Sequence, residues 1–284
     1  MFMLVKLLSV RGVALPELMF WRQFVTLPLL FSWLAARGQL GELKTLRLKD
    51  HGKRAVMGTI GMICNFGAAI WLPLAVATVL GFTTPLFAVM LTAFLLAERV
   101  GPWRWAAVVI GFLGVLIIEQ PGSAASFQMP LHGAIAGLGA GFMVAIISLH
   151  IRDLTRTDTP ISVVFYFALF GSMIVAPILP FVMTAHTGRV WLELLALGVV
   201  GTVAQVLLTA ALRYGSAASV LVMDYTSLVW TTLFGLYIFG QLPPDHMWRG
   251  APLIVVAGLV IAWREHRLHK LNQRILAEAE AGAQ

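Results

Sequence analysis

With 284 residues of which 59% are hydrophobic and 12% charged, and a mean hydropathy of +0.87, the chain lacks the polar surface of a water-soluble fold, which would carry about 25% charged residues. The net charge of +7 does not point to nucleic acid, because the basic residues lie in loops between apolar runs. A single cysteine, Cys64, sits inside an apolar run, which excludes a disulfide framework and a cysteine-based metal site.

In chain order, Met1 to Val10 is apolar but would rise only about 15 Å as a helix, half of a hydrocarbon core roughly 30 Å thick. Lys6 interrupts this stretch and no charged region precedes it, which argues against a signal peptide. A full span over Pro16–Ala36 contains Trp21-Arg22-Gln23. A basic loop follows, with Arg37, Lys44, Arg47, Lys49, Lys53 and Arg54. Two spans, about Ala55–Leu72 and Leu74–Ala97, turn at Pro73. Glu98 to Pro102 is a short loop, Trp103–Gln120 is the next span, and Pro121 to Pro130 is turn-rich. Beyond it come spans at about Leu131–Ile151, Pro160–Met183, Val190–Leu212, Ala217–Phe239 and His246–Trp263. The polar tail Arg264–Gln284 reads as a short surface helix or a frayed end.

The chain repeats itself at a shift of 143. Phe82-Thr83-Thr84-Pro85-Leu86-Phe87 is answered by Tyr225-Thr226-Ser227-Leu228-Val229-Trp230, Gly58-Thr59 by Gly201-Thr202, Ala97-Glu98 by Gly240-Gln241 and Trp105 by Trp248. This divides the chain into a first repeat at 1–122, a linker at 123–130, a second repeat at 131–263 and a tail at 264–284. With one residue of loop difference, Pro16 matches Pro160, and Leu131 would then fall about fourteen positions before Met1. The expectation is that the first span is only partly present. An in-frame apolar extension upstream would support it; a stop codon close behind Met1 would exclude it.

Orientation follows from the basic residues. One side carries fifteen Lys and Arg, the other only Arg11, Arg189 and Arg249, with Lys6 and Arg22 inside spans. The positive-inside rule then puts both termini in the cytoplasm. Five spans per half is an odd number, so the second copy must enter the membrane from the opposite face. Such inverted repeats are common in secondary transporters, which bind substrate at the repeat interface near mid-membrane. The expected fold class is therefore an all-α integral membrane protein, a ten-helix inverted-repeat (5+5) transporter with a truncated first helix.

The residues resemble the drug/metabolite transporter superfamily, specifically EamA-type permeases. The resemblance rests on Phe20-Trp21-Arg22, on Thr84-Pro85-Leu86-Phe87 with Glu98-Arg99, on Gly111-Phe112-Leu113-Gly114-Val115 and on Pro121-Gly122. It implies ten transmembrane helices, two EamA repeats and transport of a small metabolite or drug-like solute. One departure is Ser227-Leu228 where such repeats often carry proline, which predicts a weaker bend in the ninth span.

Among possible site residues, Asp224 lies about seven residues inside the ninth span, roughly 10 Å from its cytoplasmic end. A carboxylate there points to cation recognition or proton coupling, because intramembrane ionisable groups usually face a cavity. Tyr225, Thr226 and Ser227 add hydroxyls. The structural alternative is a carboxylate satisfied by those hydroxyls or by Arg213. Arg22, roughly 9 Å from the outer end of its span, could grip a substrate carboxylate or phosphate through its forked donors. Its alternative is a side chain that snorkels to the surface. Trp230 sits near mid-membrane and Trp21 at intermediate depth; each either lines a cavity or packs between helices. Asn65 and Gln205 are buried amides that line the path or bond between helices, and Tyr166 and Thr84 are weaker candidates of the same kind. Gly133, Gly137 and Gly141 form a small-residue stripe for close helix approach, and Pro28, Pro85 and Pro177 predict kinks.

No nucleotide-binding loop, triad spacing or metal cluster is visible, so no cofactor, metal or enzymatic activity is expected. The expected partners are a small-molecule solute and the bilayer, and the expected location is a bacterial inner membrane. Two rivals stand beside a carrier: a non-transporting receptor or assembly subunit, and a membrane-embedded enzyme using Asp224, His132 or His150.

Overall fold

A computed structural model describes residues 1–95, 100–119, 130–214, 220 and 223–281, and among these every regular element is helical. The first half holds α1 (Phe2–Val10), α2 (Leu15–Phe24), α3 (Thr26–Ala36), α4 (Leu48–Trp71), α5 (Leu74–Gly81), α6 (Thr84–Leu95) and α7 (Pro102–Glu119). The second holds α8 (Leu131–Leu154), α9 (Pro160–Val175), α10 (Leu179–Val182), α11 (Gly188–Tyr214), α12 (Thr226–Phe239) and α13 (Asp245–Ala281). Glu98, Arg99, Pro121, Gly122 and nearly all of the expected linker lie outside the described residues.

Proline sets the interruptions, since it cannot donate to the carbonyl four residues back. Pro28 follows a break at Val25 that separates α2 from α3, and Pro177 sits in a short 3₁₀ turn after α9. Pro85 leaves the Gly81 carbonyl without its helical donor, and the Thr84 hydroxyl donates to it instead at 2.8 Å. The ninth span is interrupted at Tyr225 with no proline nearby, and the Tyr225 backbone itself stays right-handed helical. The tail departs from expectation, because α13 runs unbroken from the apolar stretch to Ala281 rather than ending near Trp263.

Glycine lets helices meet closely. A Cβ on Gly133, Gly137 or Gly141 of α8 would lie 2.7 Å from Leu72, 2.7 Å from Leu80 or 2.3 Å from Thr83, so the stripe seats α8 against α5 and its ends. Gly114 and Gly250 do the same reciprocally, each lying where the other's carbonyl would meet an added Cβ. That contact locks α7 to α13.

Among the described residues, six helical stretches are long and apolar enough to cross a bilayer: Leu15–Ala36, Leu74–Phe94, Leu131–Leu154, Pro160–Val182, Gly188–Tyr214 and Asp245–Arg264. Pro102–Ile118 and Thr226–Phe239 are shorter apolar helices. The outer surface is apolar, with Ile135, Leu207 and Phe181 more than half exposed, while Glu17, Arg22, His51 and Arg54 are buried. This inverts the pattern of a soluble domain. The chain is an integral membrane protein.

Candidate functional site

Arg22 lies near the end of α2, and the facing glycine of α11, Gly201, makes room for it: a Cβ there would lie 2.9 Å from Arg22 Cγ. Its Nη2 donates to Gln205 Oε1 on α11 at 2.9 Å, and its Nη1 reaches Met62 Sδ on α4 at 3.4 Å. Met62 and Gln205 stand 143 apart, as do Gly58 and Gly201. Thus one arginine reaches one residue of the first half and the residue 143 positions on.

Beside it stands a second arginine, which by its place in the sequence belongs to the basic loop. Arg54, in the second turn of α4, is 3% exposed, and its guanidinium carbon lies 4.2 Å from the Phe167 ring centroid. Arg22 lies 5.9 Å from the same ring. Gly58, one turn on from Arg54, admits both neighbours; a Cβ there would sit 2.1 Å from Arg54 Nη1 and 2.5 Å from Phe167 Cε2. The signal was the spacing of four between Arg54 and Gly58, which puts the bare backbone under the long side chain. Phe167 carries no such signal.

The energetics of this pair are unbalanced. Nε of Arg22 and both Nε and Nη1 of Arg54 are buried without a hydrogen-bond partner, and no ion pair among the described residues includes either arginine. Removing such an ion from water costs several kcal/mol. A desolvated cation–π contact returns about 2 kcal/mol and a hydrogen bond to a charged group about 1.5–3 kcal/mol. The bond to Gln205 offsets part of this for Arg22. Among the described residues, Arg54 has the Phe167 ring and no hydrogen bond at Nε or Nη1.

Polar clusters close both ends of the surrounding helices. Where α2 begins, Glu17 and His186 form a buried pair at 2.8 Å, and Arg11 pairs with Glu193. Where α4 begins, Asp158 accepts from Thr45 and contacts His51, each at 2.6 Å, while Arg47 bonds Asp50 at 2.9 Å and also binds Asp153. Burial pushes the Asp158 carboxyl up, but hydrogen bonds from Thr45 and His51 outweigh it and hold it below the ordinary carboxylate range. Hydrogen bonds from Arg47 hold Asp50 low in the same way.

The other expected residues divide. Trp21 packs edge-on against Trp191 at 5.1 Å, with its indole nitrogen buried and unpartnered, next to Arg22 in the chain. Asn65 is half-buried on α4, one turn from Met62. Tyr225 packs against Phe82 with its hydroxyl buried and unpartnered. Asp224 is exposed, and among the described residues no hydrogen bond or ion pair joins it to Arg22, Arg54 or Gln205; Arg213, its expected partner, donates instead to the Asp158 carbonyl at 3.2 Å. Three residues are placed elsewhere. Thr84 spends its hydroxyl on Gly81, Tyr166 donates to the Leu43 carbonyl at 2.8 Å, and Trp230 is 58% exposed on the outer face of α12. A cavity of about 310 Å³ beside Met57, Leu91, Ile146 and His150 includes none of Arg22, Arg54 or Gln205.

Comparison with known proteins gives the family of the chain. The pseudopaline exporter CntI of Pseudomonas aeruginosa is 33% identical over 211 residues, covering 74% of this chain and 73% of its own. A riboflavin transporter of Vibrio cholerae is 29% identical over 255 residues, covering 88% and 84%. A solved crystal structure superposes with a TM-score of 0.62 over 94% of this chain and 95% of the other, at 23% identity, a likeness of fold alone. The EamA-like transporter family matches residues 1–120 and again 131–263. With both matched stretches covering nearly the whole chain and metabolite transporters among its relatives, the protein belongs to the EamA-like transporter family and is a transporter of a small solute.

Proposed function

We propose that the chain carries a small metabolite or drug-like solute by alternating access, holding it between two five-helix halves near mid-membrane. The halves are residues 1–122 and 131–263, joined by 123–130 and followed by the tail at 264–284. In this reading the chain crosses ten times and the second half enters from the opposite face. One observation carries it. Phe82 packs edge-on against Tyr225 with ring centroids 4.7 Å apart, and these are the same position of the two copies. A position that touches its own copy lies on a two-fold axis. The pairing of helices supports the same axis, since α2 packs on α11 as α4 packs on α9.

Around that axis Arg22 and Gln205 form the solute-facing core, with Trp21 and Asn65 beside it. Asp224 is the proposed proton-coupling group. The Glu17–His186 and Asp158–His51 clusters act as the two closures, of which one opens at a time. The excess of Lys and Arg on one side supports cytoplasmic termini, and the bacterial relatives support an inner membrane.

Counterflow in proteoliposomes tests the reading. Preloaded solute should exchange chemically unchanged, and Arg22→Ala should abolish exchange at equal protein insertion. Binding of a solute that never exchanges would favour a receptor, and chemical conversion would favour an enzyme.

A further inference from the structure

We infer that Arg22 and Arg54 together form a site for an oxyanion group of the solute, a carboxylate or a phosphate, so that the carried metabolite is an anion. The inference rests on the transport reading above and narrows its substrate class.

Both side chains are buried, 7% and 3% exposed, on neighbouring helices and against one ring. Three of their N–H-bearing nitrogens are buried without an acceptor: Nε of Arg22, and Nε and Nη1 of Arg54. A guanidinium cannot shed its proton to escape this situation. Nor does a carboxylate neutralise it, because Asp158, the acid that closes this end, is committed to Thr45 and His51. Glycine at positions 58 and 201 makes room for the two arginine side chains, which any Cβ there would run into.

Two unneutralised forks therefore converge on one aromatic ring with donors to spare. The chemistry that satisfies them is a planar or tetrahedral oxyanion, which offers several acceptor atoms and a compensating charge at once. A neutral or cationic solute would leave both charges unpaired. Nothing else among the described residues uses these donors. The Gln205 amide takes a single bond from Arg22 and carries no charge.

Thermal unfolding of the purified full-length chain in detergent, at constant ionic strength, provides the test. The probes are millimolar citrate, inorganic phosphate and choline. Wild type should be stabilised saturably by citrate or by phosphate and not by choline; which anion acts separates a carboxylate from a phosphate site. Arg54→Gln should weaken the apparent affinity about tenfold or more, and Arg54→Lys should keep part of it. Gln205→Glu guards against a folding defect in those variants. It gives Arg22 an internal carboxylate, so it should raise the midpoint without added anion and abolish the response to anion. An unresponsive wild type, or equal responses in wild type and Arg54→Gln, would overturn the inference. Counterflow of a neutral or cationic solute that Arg54→Gln leaves unchanged would also overturn it while leaving the transport reading intact. Arg54-dependent anion binding without any exchange would do the reverse.

Discussion

The ring of Phe82 meets the ring of Tyr225 edge-on, 4.7 Å between centroids at 85°, although the two residues stand 143 apart in the chain. Each lies at an interruption, between α5 and α6 or immediately before α12. The two copies of one motif thus meet at their own breaks. The Tyr225 hydroxyl is the part of this contact that Phe82 lacks, and it is buried without a hydrogen-bond partner.

Tyr225→Phe should therefore stabilise the fold. Removing an unsatisfied buried hydroxyl relieves a penalty of about 1–3 kcal/mol while the edge-on packing stays. A rise in the unfolding midpoint in detergent is the expected result. A raised midpoint together with lost exchange would give the hydroxyl a role in solute binding.

Gly58→Ala and Gly201→Ala should each destabilise the protein by about 1–3 kcal/mol, because the new methyl collides with Phe167 and Arg54 or with Arg22. Exchange should fall further than stability does. The displaced guanidinium of Arg22 would no longer hold its 2.9 Å bond to Gln205. Parallel measurement of midpoint and initial exchange rate separates the two effects.

The carboxyls of Asp50 and Asp158 are held below their ordinary range in the folded protein. The unfolded chain therefore takes up protons first as the pH falls. Their stabilisation is complete above the unfolded-state value of about 3.9 and is lost as the pH drops through the lower folded values. The unfolding midpoint should drop below about pH 4, and Asp158→Asn should flatten part of that dependence. A pH series of midpoints for both proteins checks the sign.

Asp224→Asn should leave solute exchange in place and flatten the pH dependence of net uptake, as expected when a coupling carboxylate loses its proton site. Trp230→Ala should leave both unchanged, because that side chain faces outward. Counterflow and net uptake at two pH values read both variants. Unaltered pH dependence in Asp224→Asn would remove the coupling assignment.

Much of the fold was legible in the chain because membrane helices must satisfy their own backbone and present apolar side chains to lipid. Length, composition and proline position then mark where helices run and break, as at Pro28 and Pro85. The ninth helix escaped this logic. Its interruption at Tyr225 coincides with a tertiary contact to Phe82 and has no local signal.

The candidate site was half legible. Arg22 and Gln205 stood out because polar groups are rare inside apolar spans, and the structure joins them at 2.9 Å. Trp230 stood out for its depth near mid-membrane and turned outward, since depth along a helix says nothing about which face meets a neighbour. Arg54 was hidden by its place at the end of a basic loop, where a charged residue looks solvated.

By itself, the sequence determined a membrane-embedded helical chain and a motif repeated at 143, because hydropathy and self-similarity are properties of the linear order. Only the tertiary structure decided that Arg22 and Arg54 share the Phe167 ring with donors left over. Burial and pairing of a charge depend on side chains from α2, α4, α9 and α11 meeting in space, and no local stretch encodes that meeting.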